Sequence, residues 1–210
     1  MFIEIKGFTK ELNGKMVLNN INLKIIGGKI YGLIGENGSG KSILLKSICG
    51  LVNIKQGEII VNGKILGKDI DFPDNIGALL DGSGFIPYLS GFKNLELLAA
   101  IKNNISSEKI KQCMELVGLD SADKTSYKNY SLGMKQKLGI VQAIMEDPQI
   151  LILDEPFNGI DRKSVSKIKE IILEYKKNGA IILITSHIEE DIKSICDEVF
   201  EIKNNTLQTV

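Results

Sequence analysis

A chain of 210 residues, 43% of them hydrophobic, is long enough to bury the core of one compact domain, with room for an inserted lobe. Lys+Arg and Asp+Glu balance at 26 each, so no net field draws the chain onto nucleic acid or an anionic membrane, and no apolar run approaches the roughly 18–20 residues of a membrane helix. Cys49, Cys113 and Cys196 have neither zinc spacing nor the even count of a disulfide framework, and Met1-Phe2-Ile3-Glu4-Ile5-Lys6 lacks the order of a signal peptide; both fit a reducing cytosol.

In chain order, residues 2–8 alternate as a short strand, and Val17 to Ile26 does so again after the turn Asn13-Gly14-Lys15. Gly27-Gly28 breaks the pattern before the apolar run Ile30 to Ile34. Then comes Gly35-Glu36-Asn37-Gly38-Ser39-Gly40-Lys41-Ser42, and Ile43 to Ile48 reads as a helix. A G-x-x-x-x-G-K-S loop between strand and helix is the context in which that pattern carries chemistry. Gly38 and Gly40 can take positive φ, so backbone N–H groups can turn inward at a helix N-terminus, where orphan donors and the dipole favour an anion. Lys41 would reach β- and γ-phosphate oxygens, and the Ser42 hydroxyl would complete Mg²⁺ coordination. Without its flanks the same pattern could be a Gly/Ser-rich surface turn.

Glu58 to Val61, the turn Asn62-Gly63 and Lys64 to Leu66 read as a hairpin with a type I′ signal. A strand over Ile76 to Leu80 ends at Asp81, and a turn-rich loop runs to Pro87. From Ser90 to Glu146 the pattern turns helical, in the spacing of Leu95, Leu98 and Ala99, of Ile110, Met114 and Val117, and of Leu138, Val141, Ala143 and Ile144. The run Gln149 to Leu153 suits a strand buried on both faces. Asp161 is placed to cap a long helix with Val165, Ile168, Ile172 and Tyr175 inward, closed by Asn178-Gly179; Ala180 to Thr185 is another buried strand. Ser186-His187-Ile188-Glu189 carries a capping-box pattern opening a last helix. Strand–helix–strand at this spacing argues for a parallel α/β core.

Asp154 and Glu155 follow the apolar strand directly. Charges at the carboxyl end of a central strand face the crevice where open α/β sheets bind ligands. Asp154 would hold Mg²⁺ through its water shell, and Glu155 would polarise an attacking water as general base. A polar strand end is also ordinary, and the upstream P-loop favours the chemical reading. His187 is the one histidine of the chain, and a lone histidine is more often structural than catalytic.

Tyr130-Ser131-Leu132-Gly133-Met134-Lys135-Gln136, at the start of the helix before Asp154, resembles the L-S-G-G-Q signature of ABC-type ATPases. The resemblance covers essentially the whole chain: P-loop, signature, Asp154-Glu155, Asn158-Gly159-Ile160-Asp161 as a D-loop and His187 as the switch histidine that senses γ-phosphate. It implies an α/β fold, a P-loop NTPase (RecA-like) core with an N-terminal antiparallel β subdomain and an inserted α-helical subdomain. Residues 1–210 would form a single domain, with core and β subdomain over 1–82 and 147–210 and the helical lobe over about 83–146. It further implies ATP held by residues 35–42 and Ile43, with Lys41, Glu155 and His187 catalytic and Ser42, Asp81 and Asp154 around Mg²⁺. Two such domains would pack head to tail as a homodimer, Ser131 and the Gly133 amide meeting the γ-phosphate at the partner's P-loop.

The pattern is broken in three places. Leu132 and Met134 replace a glycine and the glutamine of the signature. Leu12 stands where the family stacks an aromatic ring on adenine, with Phe8 as the aromatic substitute nearby. Asp81 stands where most members carry Gln; some peptide-antibiotic exporters have Glu there. The resemblance to the bacitracin-resistance and lantibiotic-immunity type implies a transporter ATPase at the cytoplasmic face of the membrane, driving a separate transmembrane permease with a peptide or hydrophobic substrate. Two alternatives are a non-transport ABC ATPase on ribosomes or DNA and a non-hydrolysing regulatory module. The zero net charge counts against nucleic acid, and Glu155 with His187 against the module.

Overall fold

The computed structural model describes residues 1–80, 84–102 and 104–210. Two sheets organise it. The smaller is antiparallel, in the order β2 (Lys15–Ile26), β1 (Phe2–Leu12), β4 (Gln56–Val61), β5 (Lys64–Ile65). The larger has six strands, in the order β10 (Thr206–Thr209), β9 (Glu198–Lys203), β3 (Lys29–Ile34), β8 (Ile181–Thr185), β7 (Ile150–Leu153), β6 (Ile76–Leu79). From β9 to β6 every neighbouring pair is parallel; β10 alone runs antiparallel to β9. Six α-helices complete the described chain: α1 (Lys41–Ile48), α2 (Gly91–Lys102), α3 (Ser107–Leu116), α4 (Leu132–Ile144), α5 (Arg162–Lys177) and α6 (Glu189–Ile195).

The continuous apolar runs fold as their composition requires. Ile150 and Ile152 of β7, with Ile181 and Leu183 of β8, face α1 and the smaller sheet; Leu151, Leu153, Ile182 and Ile184 face a second cluster with α4 and α5. All eight are fully buried, so neither face of these strands tolerates a polar residue before the strand ends. The Asn62-Gly63 turn has φ of 51° and 86°, the positive pair a type I′ hairpin needs, and Asn13-Gly14 repeats it at 51° and 75°.

Three local expectations change. β1 runs on to Leu12 instead of ending near residue 8, because bulges between Ile5 and Glu11 shift its register against β2 and let a polar stretch stay paired. Phe8 is fully buried against Leu18 and Ile21, so it is a core residue and offers no ring to a base. Ser186 does not cap α6: its Oγ accepts from the Ile188 N–H at 3.0 Å in a tight turn, and Ile188 is the N-cap without a side-chain bond. The backbone at His187 is held instead by a contact with Glu155.

Candidate active site

Because β8 lies between β3 and β7, their parallel carboxyl ends bring together three segments far apart in the chain: residues 35–43, Asp154-Glu155 and Thr185 to His187. The loop after β3 turns through positive φ at Gly35 (144°), Gly38 (79°) and Gly40 (109°), with Gly40 the N-cap of α1. Glycine at 35 also answers a close approach, since a Cβ there would lie 2.6 Å from the Ile202 carbonyl. Lys41 is only 8% exposed, and its Nζ donates to the carbonyls of Gly35 at 2.7 Å and Glu36 at 3.1 Å. The loop thus closes around its own ammonium group. The first i→i−4 bond of α1 runs from the Leu44 N–H to the Gly40 carbonyl, leaving the N–H groups of Lys41, Ser42 and Ile43 at the helix's positive end. No acidic residue lies in that first turn, and Ser39 Oγ is buried with no partner among the described residues. Amide donors, a cation and no competing carboxylate on the helix make a cradle suited to phosphate oxygens.

At the ends of β7 and β8 the carboxylates are fixed differently. Asp154 is 5% exposed; its Oδ1 accepts from Thr185 Oγ1 at 2.6 Å, while Oδ2 is buried without a partner among the described residues. A buried carboxylate oxygen left over in this way is costly unless a cation or donor meets it. Glu155 has φ +50°, its N–H donates to Thr185 Oγ1 at 2.9 Å, and its carbonyl accepts from Gln136 Nε2 at 2.7 Å. Its Oε2 accepts from the His187 N–H at 3.1 Å and lies 2.7 Å from His187 Nδ1. With an ionised carboxylate as acceptor, Nδ1 carries the imidazole proton. An open depression of about 400 Å³ lies between Gly35 to Asn37 and Ser186 to Glu189. A second cavity, of about 410 Å³, opens near Gln149 and Ala180 where β7 and β8 begin; none of the candidate residues lines it.

Ser131 is the N-cap of α4, its Oγ accepting from the Met134 N–H at 3.2 Å. Gly133 sits against the 158–161 loop so closely that a Cβ would come within 2.7 Å of the Gly159 carbonyl. Both lie at an exposed helix end, and among the described residues neither hydrogen-bonds to the chain's own residues 35–43. Leu12 ends β1 at the hairpin, 41% exposed. Asp81 lies outside the described residues. Among those described, no group of three or more His, Cys, Asp or Glu could hold a metal ion by itself.

Sequence reasoning missed two residues, Thr185 and Gln136, which grip the backbone of Glu155 from either side. Their signals were faint: a hydroxyl ending an otherwise apolar strand, and an amide one helical turn beyond Gly133.

The chain as a whole is similar to known proteins. A family model described as "ABC transporter" matches residues 18–158. The chain is 43% identical over 207 residues to YybJ, an uncharacterized ABC transporter ATP-binding protein of Bacillus subtilis (strain 168), covering 99% of this chain and 95% of that protein. It is 37% identical over 199 residues to the bacitracin transport ATP-binding protein BcrA of Enterococcus faecalis, covering 94% of this chain and 65% of that one. A solved structure of an ATP-binding subunit of an ABC transporter superposes with a TM-score of 0.88 at 27% identity, over 100% of this chain and 90% of that one. With a P-loop, a paired carboxylate strand end and a histidine turn on the same sheet edge, the chain belongs to the ABC transporter family, as an ATP-binding subunit that hydrolyses ATP.

Proposed function

We propose that this subunit hydrolyses ATP in a site shared by two copies packed head to tail, and that the cycle drives a separate transmembrane permease. The observation that carries this reading is the division of labour on the surface. Lys41, Asp154, Glu155 and His187 gather at the carboxyl ends of β3, β7 and β8, while Ser131 caps α4 and Gly133, in its first turn, packs on the Gly159 carbonyl. A second copy's α4 N-terminus would bring one more positive helix end to the same phosphates. The amides of residues 38–43 and Lys41 bind and orient the triphosphate. Glu155 accepts a proton from the attacking water, and His187 holds the Glu155 carboxylate in place and faces the γ-phosphate side. Ser42 and the unpartnered Asp154 Oδ2 fit Mg²⁺, with Asp81 a third candidate. The ion would neutralise charge on the phosphate oxygens.

No described helix is long and apolar enough to cross a membrane. Contact with the membrane is therefore assigned to the permease, with this subunit at its cytoplasmic face. Likeness to a bacitracin transport ATP-binding protein supports a peptide antibiotic or other hydrophobic compound as the exported substrate.

The test is Glu155→Gln with ATP and Mg²⁺. Turnover should fall by about 10²-fold or more, the scale of losing a general base, and a homodimer should persist on size-exclusion chromatography. A monomer under these conditions counts against the shared site.

A further inference from the structure

Eight non-glycine residues of the described chain have positive φ; six are Asn, one is Asp147, and the last is Glu155. Asn and Asp tolerate this region because their short polar side chains bond locally, whereas Glu has no such compensation. Something else must hold Glu155 there. Its N–H is taken by Thr185 Oγ1 at 2.9 Å and its carbonyl by Gln136 Nε2 at 2.7 Å, so side chains from two other elements grip both ends of the residue. The left-handed turn is what aims its carboxylate back at the N–H and Nδ1 of His187.

Gln136 belongs to α4, one turn beyond Gly133. Gly133 packs on the Gly159 carbonyl, Leu132 covers Gly159, and Lys137 Nζ lies 3.7 Å from the Asp161 carboxylate. The first two turns of α4 therefore lie along the whole 155–161 segment. We propose that Gln136 is a positioning residue for Glu155. Through one hydrogen bond to the Glu155 carbonyl it ties the helix that completes the partner's site to the base of its own site. Thr185 is the fixed anchor at the other end of the same residue. This inference rests on the reading of Glu155 as general base. A shift of α4 on engaging the partner's nucleotide would be felt at the Glu155 backbone without passing through the nucleotide held at this chain's own residues 35–43.

Gln136→Met keeps the side-chain length and removes the donor. Loss of one well-placed hydrogen bond predicts a kcat about tenfold lower, with the ATP KM within about twofold, since no group touching ATP has changed. In single-turnover hydrolysis the loss should not multiply with Glu155→Gln, and the ATP-bound dimer of that variant should survive the added Gln136→Met. Should Gln136→Met misfold, Gln136→Glu, which keeps the shape of the side chain but as a carboxylate has no N–H to give the Glu155 carbonyl, gives the same reading and should lose turnover with the ATP KM again within about twofold. Wild-type kcat in Gln136→Met or Gln136→Glu, or losses that multiply with Glu155→Gln, would each overturn the proposal. Full turnover in Glu155→Gln would instead remove the base reading beneath it, an outcome distinct from an inert Glu155→Gln beside a fully active Gln136→Met.

Discussion

Leu12 closes β1 at the β1–β2 turn, paired with Lys15 and 41% exposed. An aliphatic side chain there can cover part of a base but has no π face to stack on it, and Phe8 is locked in the core. A base–aromatic stack is typically worth about 1–3 kcal/mol, so this subunit should discriminate weakly among purine nucleotides. KM values for ATP and GTP should be comparable in the native chain, and Leu12→Tyr should lower the ATP value by at least about fivefold, the weak end of that range. Strong ATP preference in the native chain would contradict the placement of Leu12. At Asp161 the chemistry concerns stability. Hydrogen bonds from the Ser164 hydroxyl and N–H hold its carboxyl down at about 2 from a usual 3.8, with Lys137 adding attraction. A depressed carboxyl stabilises the fold fully above its unfolded pKa and ceases to do so as pH falls through the folded one. The Tm gap between the native chain and Asp161→Ala should therefore stay constant from neutral pH to about 5, then close between about 4 and 2.

At the scale of elements, what the sequence made legible was whatever depends on local pattern. The runs Ile150 to Leu153 and Ile181 to Ile184 are apolar on every residue, and both strands are buried on both faces. Asn62-Gly63 announced its turn, and Asp161 its cap. What escaped depends on which element arrives next to which. Glycines show this best. Gly77 sits in β6 where nothing local requires it, yet an added Cβ would fall on the Ala143 carbonyl of α4 and 2.8 Å from Pro148 Cγ. Backbone offers no way to yield, so Gly77→Ala should push α4 off β6 and destabilise the chain by about 1–3 kcal/mol, the usual range for overpacking, read from urea unfolding. The same blindness hid the grip on Glu155. Thr185 and Gln136 are unremarkable in sequence until β8 and α4 meet across the Glu155 peptide. Ser186 misled in the opposite sense: the sequence spells a capping box with Glu189, but its Oγ accepts from the Ile188 N–H, the His187 N–H is drawn to Glu155, and the helix starts at Glu189 without a side-chain cap.

Across the whole molecule, the six-stranded sheet is shared by two hydrophobic clusters. One joins α1 and the smaller sheet, through Leu44, Leu45, Ile3 and Ile5. The other runs without a break from Leu95, Ile110 and Met114 of the helical region to Ile168 and Ile172 of α5. A lobe whose apolar side chains belong to the same cluster as the core has little to gain by unfolding alone, so residues 1–210 should unfold as one cooperative unit. The cysteines report on this directly, because Cys49 lies in the first cluster and Cys113 in the second. Burial pushes the Cys49 thiol up to about 12 and raises that of Cys113, so neither presents an accessible thiolate in the folded chain near neutral pH. Pulse alkylation across a urea series, read site by site by mass spectrometry, should give the two thiols coincident midpoints. Labelling of Cys113 at distinctly lower urea than Cys49 would mean that the 83–146 lobe opens by itself and that the single-domain reading is wrong.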